Sequence, residues 1–116
     1  MAEKGEKSSV LQDCLGRGQS LSALVEYSKD SIVSKTILNK SVGTITLFAF
    51  DRGQALSEHT APYDAVVQVL DGTAQITIGK EDKTVNQGQI IIMPANVPHA
   101  VSAETRFKML LTMIRA

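Results

Sequence analysis

Hydrophobic and polar positions alternate with a period of two along much of this chain, as strands with one buried face require. Between residues 31 and 38, Ile32, Ser34, Thr36 and Leu38 fall on one face. Between 43 and 51, Ile45, Leu47 and Ala49 oppose Thr44, Thr46, Phe48 and Phe50. Residues 74–78, Ala-Gln-Ile-Thr-Ile, alternate again. Residues 65–70 are mostly apolar and end at Asp71-Gly72, which predicts a hairpin turn there. Residues 79–83 and 86–88 read as polar loops, and the apolar run 90–93 as a strand buried on both faces. Pro94 and Pro98 bracket a turn, because neither can donate to a central ladder, and residues 107–114 form a long closing strand. One stretch departs from the period: Leu21, Leu24 and Val25 stand at i, i+3 and i+4 behind Ser20, which predicts a short capped helix.

Strands recurring about every 8–12 residues with turn signals between them predict an all-β sandwich or barrel. Residues 1–9 are polar and Gly16-Arg17-Gly18 breaks the segment after them, so 1–19 read as an N-terminal tail, with the domain over 20–116. That glycine pair lacks the preceding strand and third glycine, or the Lys-Ser/Thr, of a phosphate loop, and is a turn.

Composition narrows the function. The 116 residues suffice for one core without staples. Twelve basic and twelve acidic residues cancel with no basic run, and three Phe, two Tyr and no Trp offer few stacking surfaces. Nucleic-acid and anionic-membrane binding are therefore not expected. The single cysteine, Cys14, forms no internal disulfide, lacks an adjacent base for nucleophilic work, and points to no oxidising compartment. No apolar run approaches ~18 residues and the first residues carry no signal-like core, so a cytoplasmic location is expected.

The chain's only two histidines, His59 and His99, each follow a Gly-led stretch beside a proline-marked turn. Two imidazoles brought together are candidates for a metal or acid/base site. Gly53, five residues, His59 and the later Gly72 form one motif; Gly88, five residues, Pro94-Ala95-Asn96 and His99 form a second. On these residues the chain resembles a small single-domain cupin, a jelly-roll β-barrel. The resemblance implies an all-β single-domain cupin jelly-roll β-barrel with a short N-terminal helix or tail. It also implies a metal held by three histidines and one carboxylate. Here the second histidine position is Ala61, the carboxylate position is Ala65, Asn96 replaces a glycine, and Ala103 occupies the final position.

Alternation puts His59, Ala61, Ala65, Val67 and Val69 on one face, which is apolar apart from His59. Glu58 points away by the same parity, while Asp64 and Tyr63 flank the missing positions and Gln68 has the opposite parity. Two functions stay open. In the first, the barrel mouth binds a small organic molecule, lined by His59, Tyr63, Gln68, Met93, His99 and Met113. In the second, His59 and His99 hold a divalent transition metal in an enzyme of oxygenase or isomerase type. No cofactor follows from the residues themselves. Met109 joins Met93 and Met113 as a candidate lining or core residue. A homodimer is expected from the resemblance and from the edge that strand 107–114 is expected to leave uncovered.

Overall fold

The computed structural model describes residues 8–115; residues 1–7 of the expected tail and Ala116 lie outside that span. Within it lie β1 (Ser9–Val10), β2 (Ile32–Lys40), β3 (Gly43–Phe50), β4 (Ala55–His59), β5 (Ala65–Ile78), β6 (Glu81–Asn86), β7 (Ile90–Met93), β8 (His99–Ser102) and β9 (Phe107–Ile114). All pair antiparallel. One sheet runs β1-β2-β3-β9-β5-β7 and the other β4-β8-β5-β6. This is the all-β jelly-roll barrel expected. No helix among the described residues is long and apolar enough to cross a membrane.

β5 joins the sheets. Residues 65–72 pair with β9 and residues 73–78 with β6. The hairpin expected at Asp71-Gly72 is therefore a bend within one strand. A register shift between Val69 and Asp71 turns the chain, and Gly72 takes φ 74°. A Cβ at Gly72 would collide with the Arg106 carbonyl oxygen, so only glycine lets the two backbones approach this closely.

The barrel interior packs Phe50 on Phe107, centroids 4.5 Å apart, with Val67, Val69, Ile76, Val101 and Met109 around them. β3 is apolar on both faces. Its Phe48 and Phe50 belong to this interior, whereas Leu47 and Ala49 pack outward against Leu21, Leu24, Val25 and Tyr27. The segment expected as a helix is a 3-10 turn, Leu21–Leu24, and the Ser20 side chain makes no cap bond. Four residues cannot complete an α-helical stripe, and the tighter turn eclipses positions i and i+3, aligning Leu21 with Leu24. Tyr27 clamps the segment down. Its hydroxyl donates to Asp71 Oδ2 at 2.5 Å, and Arg106 and Lys108 lie 4.9 and 5.0 Å from its ring centroid. Burial and the Asp71 carboxylate push the phenol well above its ordinary pKa.

Four further expectations need correction. Part of the expected tail joins the sheet, since β1 pairs with β2. Residues 81–83 and 86, expected in the polar loops 79–83 and 86–88, belong to β6; its polar side chains face outward, with Thr77 Oγ1 donating to Asp82 Oδ1 at 2.8 Å. β7 is not buried on both faces: Ile90 and Ile92 are 62% and 57% exposed, because β7 is an edge strand with β5 as its partner. β9, by contrast, lies between β3 and β5 and leaves no open edge.

Candidate functional site

The two histidines are cross-strand neighbours. β4 pairs with β8 through Leu56↔Val101 and His59↔His99. Leu56 and His59 are three residues apart while their partners are two apart, so β4 carries one extra residue. That bulge decides the site. Regular pairing onward from Leu56 would set Glu58 opposite His99; the added residue sets His59 there. It also brings Leu56 and His59 onto one face despite their odd separation.

The rings meet edge to face, centroids 4.4 Å apart at 73°, with their Nε2 atoms 3.2 Å apart. His99 is buried and His59 is exposed at the mouth. Burial holds the His99 pKa below the usual imidazole range, with the neighbouring His59 adding to the effect and the Val97 carbonyl opposing it.

Hydrogen bonding constrains the tautomers. His59 Nδ1 lies 2.9 Å from the Ser57 carbonyl oxygen and His99 Nδ1 lies 3.2 Å from that of Val97. A carbonyl only accepts, so each Nδ1 carries the proton that satisfies its contact. In neutral rings both Nε2 atoms then present lone pairs to one another. Three contacts require three protons, and two neutral imidazoles supply two.

Below the pair lies a cavity of about 110 Å³ lined by Leu56, His59, Ala61, Ala65, Met93, His99, Val101, Met109, Leu111 and Met113. The sequence-predicted residues His59, His99, Met93 and Met113 come together here. Tyr63 and Gln68 are not among the lining residues; Gln68 is exposed on the opposite face of β5 from the buried Val67 and Val69. Leu56 was not anticipated, because the bulge hides its parity. Met109, expected as a lining or core residue, is also in the lining.

The turns beside the histidines are held by their own bonds. The Ala95 N–H donates to Asp64 Oδ1 at 2.8 Å, and the Asn96 N–H to the Ala61 carbonyl at 2.7 Å. Asp64 thus serves the loop 94–98. Asn96, in place of the resembling family's glycine, takes φ 65°, a region that asparagine tolerates better than most residues.

The donor set does not fit a divalent ion of the kind the resemblance implied. Methyl groups occupy positions 61 and 65, and among the described residues no third His, Cys, Asp or Glu joins the pair. Two neutral imidazoles fall short of the four ligands of a structural site or the three of a catalytic one.

Comparison with known proteins agrees with the fold. Residues 46–115 match the family described as Cupin domain. An uncharacterized protein of Streptomyces coelicolor is 39% identical over 61 residues, which are 53% of this chain and 55% of that protein. The chain thus spans little more than half the length of that relative. A conserved protein of unknown function from Streptococcus pyogenes superposes with a TM-score of 0.83 at 38% identity, over 86% of this chain and 88% of its own. A cupin superfamily protein from Desulfitobacterium hafniense gives 0.82 at 27% identity, over 86% and 92%.

Proposed function

Because this chain belongs to the cupin family, we propose that its barrel is a binding module for a compact, mostly apolar organic molecule. The observation that carries the reading is the cavity itself: eight apolar side chains and two imidazoles enclose about 110 Å³. An engineered apolar cavity of about 150 Å³ holds benzene, so a molecule of that order fits with one end in the mouth. The histidines set the polar contact. With both Nδ1 protons committed to carbonyls, the Nε2 atoms accept hydrogen bonds, which favours a hydroxyl or amide donor and disfavours a carboxylate anion. The other reading, a metal-dependent oxygenase or isomerase, has less support, since Ala61 and Ala65 replace two of its four ligands.

A homodimer belongs to the same proposal on different ground from that first expected. The open apolar edge is β7, where Ile90 and Ile92 stand exposed, and a second copy would cover it. Sedimentation should give twice the monomer mass, and Ile90→Lys with Ile92→Lys should return it to monomer.

The ligand reading is tested with phenol and benzene as probes, followed through the methionine methyl resonances. Phenol should bind saturably and more tightly than benzene, shifting Met93 and Met109. Ala61→Phe, which fills the cavity from a partly exposed position, should abolish both effects. Phenol binding that leaves the methionines unmoved, or that survives Ala61→Phe, would refute the reading.

A further inference from the structure

We propose that the end of the barrel opposite the histidines carries a second site, a cationic cleft that takes the phosphoryl dianion of a small soluble phosphate monoester. This goes beyond the organic-ligand reading and does not rest on it, since the cleft shares no residue with the apolar cavity. β4 and β8 run between the two places: Ala55 pairs with Ser102 at one end and His59 with His99 at the other.

The first ground is convergence. An open cleft of about 590 Å³ is lined by Lys29, Asp30, Asp51, Arg52, Thr105 and Arg106. They belong to three connections: the turn leading into β2, the turn between β3 and β4, and the loop between β8 and β9. The sheet brings these together, because Phe50 pairs with Ile32 on one side and Phe107 on the other. The Gly53 N–H then ties the second turn to the loop by donating to the Ala103 carbonyl at 2.7 Å. Three lining residues are cations and two are acids, so the cleft carries a net +1 (3 − 2) in a chain of net charge zero.

The second ground is what these groups already bond. Asp51 is buried and committed within the protein: its Oδ1 accepts from Arg106 Nε at 2.7 Å and its Oδ2 from the Asp30 N–H at 2.7 Å. The Arg106 bond holds the Asp51 carboxyl well below the usual carboxylate range, so it stays an anion. Arg106 gives that bond one of its five N–H donors. Asp51 and the Tyr27 ring, 4.9 Å from its Cζ, set the guanidinium's orientation, and its half-exposed fork keeps both Nη groups for a ligand. Among the described residues, Lys29 and Arg52 form no ion pair and the Thr105 hydroxyl has no partner. Neighbouring cations repel one another, and an anion between them relieves that repulsion. A phosphoryl group presents three oxygens in different directions to guanidinium, ammonium and hydroxyl donors, where a carboxylate presents two in one plane. The Asp30 carboxylate limits the net charge to +1, which suits a single phosphoryl group rather than a polyanionic strand.

The test follows backbone amide and arginine Nε–Hε resonances of the full chain at about pH 7.5, above the second phosphate pKa of ~6. Glycerol 3-phosphate, inorganic phosphate and chloride are added at matched ionic strength. Glycerol 3-phosphate should shift the Thr105 amide and the Arg52 and Arg106 side-chain signals saturably, at least as tightly as inorganic phosphate, with the methionine methyls unmoved. Lys29→Ala and Arg52→Ala, both at exposed positions, should each weaken binding by on the order of tenfold. Lys80→Ala, exposed and outside the cleft, should leave it unchanged. Phosphatidylcholine vesicles containing phosphatidic acid should not sediment the protein. The proposal is overturned if no signal saturates, if chloride reproduces the shifts, or if the ester moves the methionines instead. It is equally overturned if Lys80→Ala weakens binding as much as Arg52→Ala, if inorganic phosphate binds more tightly than the ester, or if phosphatidic acid vesicles carry the protein down.

Discussion

Placing the two absent ligand types on the cavity wall should convert this barrel into a divalent-metal protein whose fold depends on the ion. In Ala61→His with Ala65→Glu, the new groups join His59 and His99, whose Nε2 atoms are already 3.2 Å apart. The metal-free variant carries the cost. Ala65 is 2% exposed, and its strand neighbours are Met93 and Met113, so a glutamate there enters an apolar, filled wall. Overpacking costs about 1–3 kcal/mol, and the carboxylate's desolvation adds to that, offset in part by proton uptake on the histidines beside it. A net loss of about 2–3 kcal/mol lowers the thermal midpoint of a domain this size by roughly 10 °C. Zn²⁺ at about 100 times its dissociation constant restores about 2.7 kcal/mol by binding the folded state alone. Scanning calorimetry with Zn²⁺ and then with excess EDTA reads both changes. The parent protein should respond to neither addition. A parent midpoint that rises as much with Zn²⁺ as the variant's would mean that a complete divalent site already exists and that the donor-set argument is wrong. A variant with an undiminished metal-free midpoint would mean that residue 65 does not face the cavity.

Other consequences follow from single positions. Gly72→Ala meets both a φ of 74° and the Arg106 carbonyl, so urea unfolding should show a loss of at least about 2 kcal/mol. Tyr27→Phe removes the hydroxyl that donates to Asp71 and should cost about 1 kcal/mol, with hydrogen exchange speeding up in residues 20–27 more than in β5. The depressed pKa of His99 makes the unfolded chain the better proton binder, so its contribution to stability is complete above ~6.5 and is lost as pH falls from there through the folded value. His99→Gln should flatten that acid-side slope of the midpoint, and an unchanged slope would show that another group sets it.

Much of the barrel was legible because alternation survives wherever one face is buried. The strands predicted over 31–38, 43–51 and 107–114 form within two residues at their ends, and 74–78 forms as the last part of the longer β5. The misreadings share a cause: local signals lose where tertiary contacts set the backbone. Asp71-Gly72 has turn composition, yet its glycine is needed for the close approach of Arg106 and Phe107 on the neighbouring strand β9. β6 has loop composition, yet its backbone pairs with β5 while its side chains stay in water. Ile90–Met93 looked buried throughout because hydrophobicity alone cannot distinguish a central strand from an apolar edge. At the site, the pairing of His59 with His99 could be expected from two motifs ending at one mouth. The bulge between Leu56 and His59 could not, since it depends on the register against β8.

The motif residues also differ in what they encode, and this bears on how far a match can be carried. Gly53, Gly72 and Gly88 adopt φ of 87°, 74° and 87°, and Asn96, at a glycine position of the resembling pattern, adopts 65°. These positions specify backbone: positive-φ turns that link β3 to β4, bend β5 and lead into β7. Positions 59, 61, 65 and 99 specify chemistry, and they can change without disturbing those turns. Ala61 still offers its carbonyl to the Asn96 N–H at 2.7 Å, a bond that any side chain there would leave intact. The backbone half of the pattern therefore holds the barrel while the ligand half has become two imidazoles, two methyl groups and flanking thioethers. A motif match of this kind supports the fold strongly, but the chemistry must be read from the atoms that face the cavity, and here those atoms are nitrogen lone pairs and sulfur.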